Sequence, residues 1–302
     1  MPAIVPADVT RGTIVAIGGG EDKLKEKHVL QKIVQLAGGP KARIGLIPTA
    51  SSVAKDISAV YTRVFKELGA AETIVLDIAS RGEAAEPRML ADLERATLVF
   101  FTGGDQLRLV AMLGGTPVVQ SLRRMNASGV PIAGTSAGAG AVCQHMIARG
   151  RSGQMVNQRM VSLAPGLGLT NRIVVDQHFS QRHRVGRLFT AVALNPFLVG
   201  VGIDEDTAAL LDGTNQLSVW GAGSVTVIDG GKLSYSDVPE IQGRAPAAAL
   251  GLQVHVLTQG CTFDLVERTA SAPPPRKAAP APVVEHGLLP TPSNVASFIK
   301  PH

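Results

Sequence analysis

Short apolar runs that end in glycine-rich turns are the feature of this chain that most constrains its fold. Residues 14–17 lead into Gly18-Gly19-Gly20, and residues 98–101 lead into Thr102-Gly103-Gly104. Runs this short do not make helices, and strands without polar alternation are typical of parallel sheets that are buried on both faces. The longer segments between the runs repeat apolar residues at helical spacing. The sequence therefore predicts an α/β fold with a parallel sheet covered by helices on both faces.

The alternation continues to about residue 199 and then changes. Strands are predicted at 13–17, 44–47, 73–78, 98–101, 130–133 and 173–175, and helices at 23–36, 57–68, 106–113, 118–125 and 139–146. Further strands are predicted at 199–203, 208–211, 217–220 and 224–228. Asp-Gly turns separate several of these later strands, which indicates hairpins and an antiparallel extension of the sheet.

The last part of the chain has a different composition. Residues 269–302 are rich in Pro and Ala and contain too few large apolar residues to build a core. Such segments are typically extended and flexible. The sequence thus predicts one α/β domain at 1–268 and a flexible tail at 269–302.

Charge and composition exclude several classes of function. The net charge is +5, and no basic stripe is interleaved with aromatic residues, so a nucleic-acid partner is not predicted. No apolar run reaches about 18 residues, and the first residues lack the pattern of a secretory signal. We therefore expect no contact with a membrane and a cytoplasmic location. Cys143 and Cys261 fit no metal-binding spacing, so neither a metal nor a cofactor is predicted.

One Gly-x-Ser-x-Gly motif lies in the setting of a nucleophile elbow. Ser136, in Gly134-Thr135-Ser136-Ala137-Gly138, follows a predicted strand and precedes a run of small residues. In such a turn the hydroxyl projects from the sheet edge at a helix N-terminus, where the N–H of Ala137 could stabilise an oxyanion. An ordinary glycine-rich loop is the alternative.

A serine nucleophile needs a base and an acid to orient it. His178 follows a predicted strand and is preferred over His183, which lies among arginines that would depress its basicity. Glu205, in an acidic turn after the strand at 199–203, is the acid candidate, although such a turn could also be a solvated surface feature. The order Ser, His, acid differs from that of α/β-hydrolases.

Two glycine turns and one basic cluster complete the candidates. Gly104 follows a strand and could supply the second oxyanion N–H, since glycine permits close approach to a ligand. A phosphate-binding role for Gly18-Gly19-Gly20 is disfavoured by the acidic residues that follow it. Arg182, Arg184 and Arg187 follow the candidate base and could bind substrate carboxylates, or could form a solvated basic face.

Five blocks in order resemble the cyanophycinase family of serine peptidases, which is related to aspartyl dipeptidase. The blocks start at Gly18, Thr102, Gly134, Asp176 and Gly202. The resemblance implies a flavodoxin-like, class I glutamine amidotransferase-like sheet, a homodimer, and a triad of Ser136, His178 and Glu205. It implies a serine exopeptidase that cleaves cyanophycin, a poly-aspartate with arginine on each side chain, into β-Asp-Arg dipeptides. It also implies six pocket positions: Gln106, Asp176, Gln177, Arg182, Arg184 and Arg187.

Two stretches depart from this resemblance. Residues 147–170 match the family poorly, so no site is assigned there, and the proline-rich tail falls outside the match. Two alternatives remain open at this point. One is a dipeptidase that acts on short aspartyl peptides, and the other is a catalytically silent binding protein of the same fold.

Overall fold

The computed structural model describes residues 1–273. The strands are β1 (Ile14–Ile17), β2 (Arg43–Ile47), β3 (Glu72–Val75), β4 (Leu98–Phe101), β5 (Ile132–Thr135), β6 (His145–Gly150), β7 (Val161–Pro165), β8 (Ile173–Gln177), β9 (Val199–Ile203), β10 (Thr207–Leu211), β11 (Gln216–Gly221), β12 (Val225–Asp229), β13 (Tyr235–Ser236), β14 (Ala249–Leu250), β15 (Gln253–Leu257), β16 (Thr262–Asp264) and β17 (Thr269–Ser271). The helices are α1 (His28–Leu36), α2 (Ala54–Glu67), α3 (Pro87–Glu94), α4 (Gln106–Leu113), α5 (Pro117–Ala127), α6 (Ala137–Ala141) and α7 (Val185–Leu194).

The main sheet has nine strands in the order β17-β16-β11-β10-β1-β5-β4-β2-β3. Five neighbouring strands, β1-β5-β4-β2-β3, pair in parallel. Beyond β1, the strands β10, β11, β16 and β17 pair antiparallel. The predicted α/β class, with a parallel core and an antiparallel extension, is confirmed.

Alternate residues of the central strands pack against opposite helical layers. Ile14 and Ala16 of β1 lie in a core with residues of α3, α4 and α5, while Val15 and Ile17 lie in a core with residues of α1 and α2. Because successive side chains of a strand point to opposite faces, an all-apolar strand needs both layers. This double burial holds the ends of β1 and β5 rigidly, and the candidate nucleophile follows β5.

A second sheet, which the sequence did not predict, carries the candidate base and acid. Its order is β15-β12-β9-β8, with β8 and β9 parallel and the other pairs antiparallel. The strands predicted after residue 199 therefore divide between the two sheets. One face of the second sheet packs into the main core through Val175 and Val201, and α7 covers the other face at Val174 and Leu188. Both sheets thus share a core, which fixes their strand ends relative to one another.

Local boundaries differ from prediction where polar contacts or pairing decide them. The helix predicted at 23–36 begins only at His28, because the Asp22 carboxylate accepts the backbone N–H groups of residues 24–27. The helix predicted at 139–146 ends at Ala141, and His145 begins a strand instead. Residues 269–271, assigned to the tail, pair with β16 as an edge strand. The rest of that tail, from residue 274, lies outside the described residues, so its flexibility stays a prediction.

Candidate active site

Ser136 occupies a sharp turn between β5 and α6. Its φ of 51° and ψ of −111° lie in a region that non-glycine residues rarely adopt. The Ser136 N–H donates to the carbonyl of Ile17 at 3.0 Å, which ties the turn to β1. Small neighbours make the turn possible, because a Cβ on Gly134 would lie 2.4 Å from the Gly138 carbonyl carbon, and one on Gly138 would lie 2.7 Å from Phe101 Cβ. The strained backbone is what a nucleophile elbow requires.

The three predicted triad side chains form one hydrogen-bonded chain. The Ser136 Oγ lies 2.8 Å from His178 Nε2, and His178 Nδ1 lies 2.6 Å from Glu205 Oε1. His178 follows β8 and Glu205 follows β9, two parallel strands that end side by side. Nucleophile, base and orienting acid therefore stand in the order and at the distances that acyl transfer needs.

Burial sets the protonation state of the base. His178 is buried, and desolvation lowers its pKa below the ordinary value of 6.5. The hydrogen bond to Glu205 opposes this shift, while the positive charges of Arg182 and Arg184 lower the pKa further. The imidazole is consequently neutral at neutral pH, so that one ring nitrogen can accept the Ser136 proton.

The loop that carries the acid is held by its neighbour, Asp204. The Asp204 carboxylate accepts the N–H of Ser180 at 3.0 Å and both the N–H and the hydroxyl of Ser224, at 3.1 and 2.7 Å. Burial by itself would raise the pKa of Asp204, but these hydrogen bonds outweigh it and the pKa is lowered. The Glu205 N–H in turn donates to the side chain of Gln181 at 3.1 Å. The acid is thus positioned from both sides.

The Gly18-Gly19-Gly20 turn packs directly against the triad. A Cβ on Gly19 would lie 2.3 Å from His178 Cε1, and a Cβ on Gly20 would lie 3.0 Å from the Glu205 carboxylate. The carbonyl of Gly18 accepts the His178 N–H at 2.8 Å. The sequence analysis disfavoured phosphate binding for this turn but assigned it no other role. Its glycines allow a backbone to lie against the imidazole, a contact that only the three-dimensional structure reveals.

Glu21, directly after this turn, forms a buried network below the elbow. It accepts hydrogen bonds from Thr135 Oγ1 at 2.7 Å and from the Tyr61 hydroxyl, and Lys23 Nζ lies 3.0 Å from its carboxylate. Burial and the Glu21 charge raise the pKa of Tyr61 well above its ordinary value, so Tyr61 remains a donor. Since Thr135 precedes Ser136, this network braces the residue next to the nucleophile.

Two candidate oxyanion donors flank Ser136. Ala137 is the first residue of α6, and the helix N-terminus leaves its backbone N–H without an intrahelical partner. On the other side, a Cβ on Gly103 would lie 3.3 Å from Ser136 Cβ. Gly104 has a φ of 142°, and a Cβ there would lie 2.1 Å from the Ala50 carbonyl oxygen. Gly103 thus lies against the nucleophile, while Gly104 lets the same loop pack on the Ala50 backbone.

Asp176, Arg184 and Arg187 form an ion-pair cluster behind the base. Asp176 is fully buried, and both Nε and a terminal nitrogen of Arg187 donate to it, the former at 2.5 Å. Arg184 donates to Asp176 at 3.3 Å and to the Gln177 carbonyl at 2.6 Å. Burial raises the pKa of Asp176 and the guanidinium groups oppose the rise, while burial lowers the pKa of Arg184 to about 10. Arg187, one of the three arginines predicted to bind substrate carboxylates, has its guanidinium paired with Asp176.

The other three predicted pocket residues lie on β8, at the start of α4 and in the segment that follows the candidate base. Gln177 is buried, with its side-chain oxygen 3.6 Å from a Cβ built on Gly140 of α6. Gln106, the first residue of α4, donates to the Ala148 carbonyl of β6 at 2.9 Å. Arg182 is exposed. Of the three arginines, Arg182 is thus the most accessible to a substrate.

Neither a membrane span nor a metal cluster is evident in residues 1–273. No helix there is long and apolar enough to cross a bilayer. Within the same residues, no group of three or more His, Cys, Asp or Glu side chains is arranged to hold a metal ion.

A parallel-sheet α/β fold with a serine, histidine and glutamate chain at its strand ends defines the class as a serine-type peptidase. Residues 14–219 match the description Peptidase family S51. The cyanophycinase of Trichormus variabilis is 42% identical over 261 residues, which cover 86% of this chain and 88% of that protein. The cyanophycinase of Synechococcus elongatus is 40% identical over 256 residues, covering 84% and 80%. The chain belongs to peptidase family S51.

A solved structure supports the fold independently. The crystal structure of a peptidase from an acI-B1 Actinobacterium aligns with a TM-score of 0.61 over 84% of this chain and 97% of that one. At 23% identity, this likeness shows the fold alone.

Proposed function

We propose that this peptidase is a cyanophycinase that hydrolyses cyanophycin to β-Asp-Arg dipeptides. The single observation that carries the proposal is the continuous chain from Ser136 through His178 to Glu205, in a protein 42% identical to a cyanophycinase. Catalysis requires hydrogen bonds between all three groups, whereas a binding protein of the same fold would not need these hydrogen bonds.

The first half of the reaction acylates Ser136. His178 Nε2 takes the hydroxyl proton as Ser136 Oγ attacks the scissile carbonyl carbon. Negative charge develops on the carbonyl oxygen, and the N–H groups of Ala137 and of the Gly103-Gly104 loop are the donors proposed to stabilise it. The imidazolium, stabilised by Glu205, then protonates the leaving amine, and the C–N bond breaks to give an acyl-enzyme.

The second half releases the acyl group. A water molecule enters where the amine has left, and His178 again removes a proton, this time from the water. The hydroxide adds to the ester carbonyl, the same N–H groups stabilise the oxyanion, and the Ser136 oxygen leaves with the proton from the imidazolium. The lowered pKa of His178 suits this step, because the imidazole that has protonated the amine stays neutral and can accept the proton of the water.

Substrate recognition is assigned to polar residues around the base. A β-linked aspartyl unit carries a free carboxylate next to the scissile region, and guanidinium groups suit that anion. Exposed Arg182 is the proposed first contact, with Arg184, Gln106 and Gln177 as further pocket residues. Asp176 and Arg187 pair with each other in the core, and we propose that this pair fixes the end of the strand that precedes His178.

One degradation assay tests the function. Insoluble cyanophycin incubated with the enzyme should clear, and mass spectrometry should find β-Asp-Arg as the main product. Ser136→Ala, with an unchanged circular dichroism spectrum, should leave the suspension turbid. Release of products only from short aspartyl peptides would instead identify a dipeptidase, and no hydrolysis of either substrate would identify a binding protein.

We also infer a cytoplasmic homodimer, on the resemblance to the family. Sedimentation velocity of the purified chain should give about twice the 31.4 kDa mass of one chain. A single species at the monomer mass at micromolar concentration would overturn the dimer.

A further inference from the structure

A groove lined by three arginines lies at the β6–β7 hairpin, in the stretch that matches the family poorly. We call it the arginine groove. It encloses about 540 Å³, and its lining consists of Arg149, Gly150, Arg151, Gln158, Arg159, Val161 and Ser162. All three arginines are exposed. Four of the seven lining residues belong to the ends of the two strands, so the paired backbone gives the groove a defined floor.

The arginine groove has no negative charge of its own. No aspartate or glutamate is among its lining residues. In residues 1–273, the arginines that form ion pairs are elsewhere: Arg63, Arg88, Arg95, Arg184, Arg187 and Arg268. Three neighbouring guanidinium groups repel one another when no anion is present. An anionic ligand would remove that repulsion and could accept two hydrogen bonds from each planar guanidinium group.

A strand irregularity connects the arginine groove to the active site. The β6–β7 register skips Ala148, since Ile147 pairs with Leu163 and Arg149 pairs with Ser162. The carbonyl of the skipped residue accepts the Gln106 side chain at 2.9 Å. Bulges of this kind bend a strand and re-aim its side chains. Gln106 starts the helix after the Gly103-Gly104 loop, so the groove and the nucleophile flank the same short segment.

A second connection runs to the segment of the base. A Cβ on Gly150 would lie 2.9 Å from Arg187 Cδ, so the groove floor rests on the ion-pair cluster. The Gly153 N–H donates to the His183 carbonyl at 2.7 Å, and the Gly186 N–H donates to the Gly153 carbonyl at 2.9 Å. The loop between β6 and β7 is therefore fixed to the segment that follows His178.

We propose that the arginine groove binds the free carboxylates of polymer units beyond the one being cleaved. This proposal rests on the proposed function, because each unit of cyanophycin carries one arginine α-carboxylate in a regular array. On this proposal a dipeptide-sized substrate would contact only the residues around Ser136, whereas a longer chain would extend from there into the groove. The groove thus makes the enzyme selective for polymer over short peptides.

Binding is measured first, without turnover. Two inactive proteins are sedimented with insoluble cyanophycin. One carries Ser136→Ala only, and the other carries Ser136→Ala together with Arg149→Glu and Arg159→Glu. The matched control also reverses two charges, Arg63→Glu on α2 and Arg88→Glu on α3, at side chains that are 64% and 92% exposed. We expect the paired groove reversal to weaken sedimentation about tenfold or more, and the parent's binding to fall with added salt. If the paired groove reversal sediments as well as the parent, the proposal that the groove binds the polymer is wrong.

Turnover then separates the groove from the proposed function. With Ser136 restored, we compare the rate on polymer, divided by kcat/KM on a two-unit oligomer. This ratio should fall about tenfold in the paired groove reversal and should not fall in the Arg63→Glu and Arg88→Glu control. Equal losses on both substrates would overturn a polymer-specific role. If the parent enzyme hydrolyses neither substrate, the proposed function fails, while the sedimentation result still decides whether the groove holds the polymer. Thermal unfolding confirms that each variant is folded.

Discussion

Replacing Gly19 by alanine should inactivate the enzyme by displacing the base. The added Cβ would lie 2.3 Å from His178 Cε1 and 2.6 Å from Nε2, while ordinary contact begins near 3.4 Å. The ring must therefore move by roughly 1 Å, or the turn must move away from it. Either change breaks the geometry in which Nε2 lies 2.8 Å from the Ser136 Oγ.

The size of the effect follows from two separate costs. The φ of +94° at Gly19 is unfavourable for alanine and should lower the free energy of unfolding by about 1–2 kcal/mol. Misplacing a catalytic group by about 1 Å can cost about 100-fold in rate. We therefore expect kcat to fall about 100-fold or more, with only a moderate drop in Tm.

Gly38 provides the matched control. Its φ of +107° is similarly left-handed, but an added Cβ would meet no atom within 4 Å. Gly38→Ala should show a comparable loss of stability and retain wild-type kcat. The two variants are compared by thermal unfolding, by turnover, and by the rate at which a fluorophosphonate labels Ser136. Equal kcat values for the two variants would show that Gly19 does not hold His178.

The remaining predictions concern the triad and its surroundings. Ser136→Ala should lower kcat by several orders of magnitude without changing Tm, whereas Glu205→Gln should cost less because the acid only orients and stabilises the imidazolium. In pH profiles, kcat/KM should rise with pH through an inflection below 6.5, since burial lowers the His178 pKa. Glu205→Gln should move that inflection lower still, and an unmoved inflection would contradict the assignment. Arg187→Met, which removes two of the three guanidinium hydrogen bonds to the buried Asp176 carboxylate, should destabilise the fold by about 3–5 kcal/mol. Arg182→Ala should keep Tm and lower kcat/KM, and wild-type kcat/KM would refute its substrate contact.

Much of the fold follows from local patterns that the sequence displays. The strands at Leu98–Phe101 and Val199–Ile203 and the helix at Gln106–Leu113 have the bounds that periodicity predicts. Apolar runs next to glycine leave few alternatives to a buried strand. The second sheet could not be predicted, because strand partnership depends on long-range packing. Both β9 and β10 are short, fully buried strands, yet one pairs with β8 and the other with β1.

The candidate site was predictable where single residues carry the chemistry. The Ser136 motif, His178 and Glu205 each follow a predicted strand, and the structure brings their side chains together. Their catalytic roles remain predictions until the variants are measured. The ion pair between Arg187 and Asp176 was not predictable from the sequence, because the two residues are eleven positions apart. Nothing in the local sequence distinguishes a paired guanidinium from a free one.

The Gly18-to-Glu21 segment explains why an acidic residue can follow a glycine turn at an active site. Sequence reasoning treats Glu21 as a charge that would repel a phosphate ligand, yet its carboxylate faces inward to Thr135, Tyr61 and Lys23. A buried carboxylate with such donors is costly to leave unpaired, so removing one donor should loosen the whole network. Thr135 is the residue before the strained nucleophile, and the strain at Ser136 persists only while its surroundings hold it. The glycines of this segment therefore contact the base and its glutamate contacts the residue before the nucleophile, so that one loop supports both members of the Ser136–His178 pair.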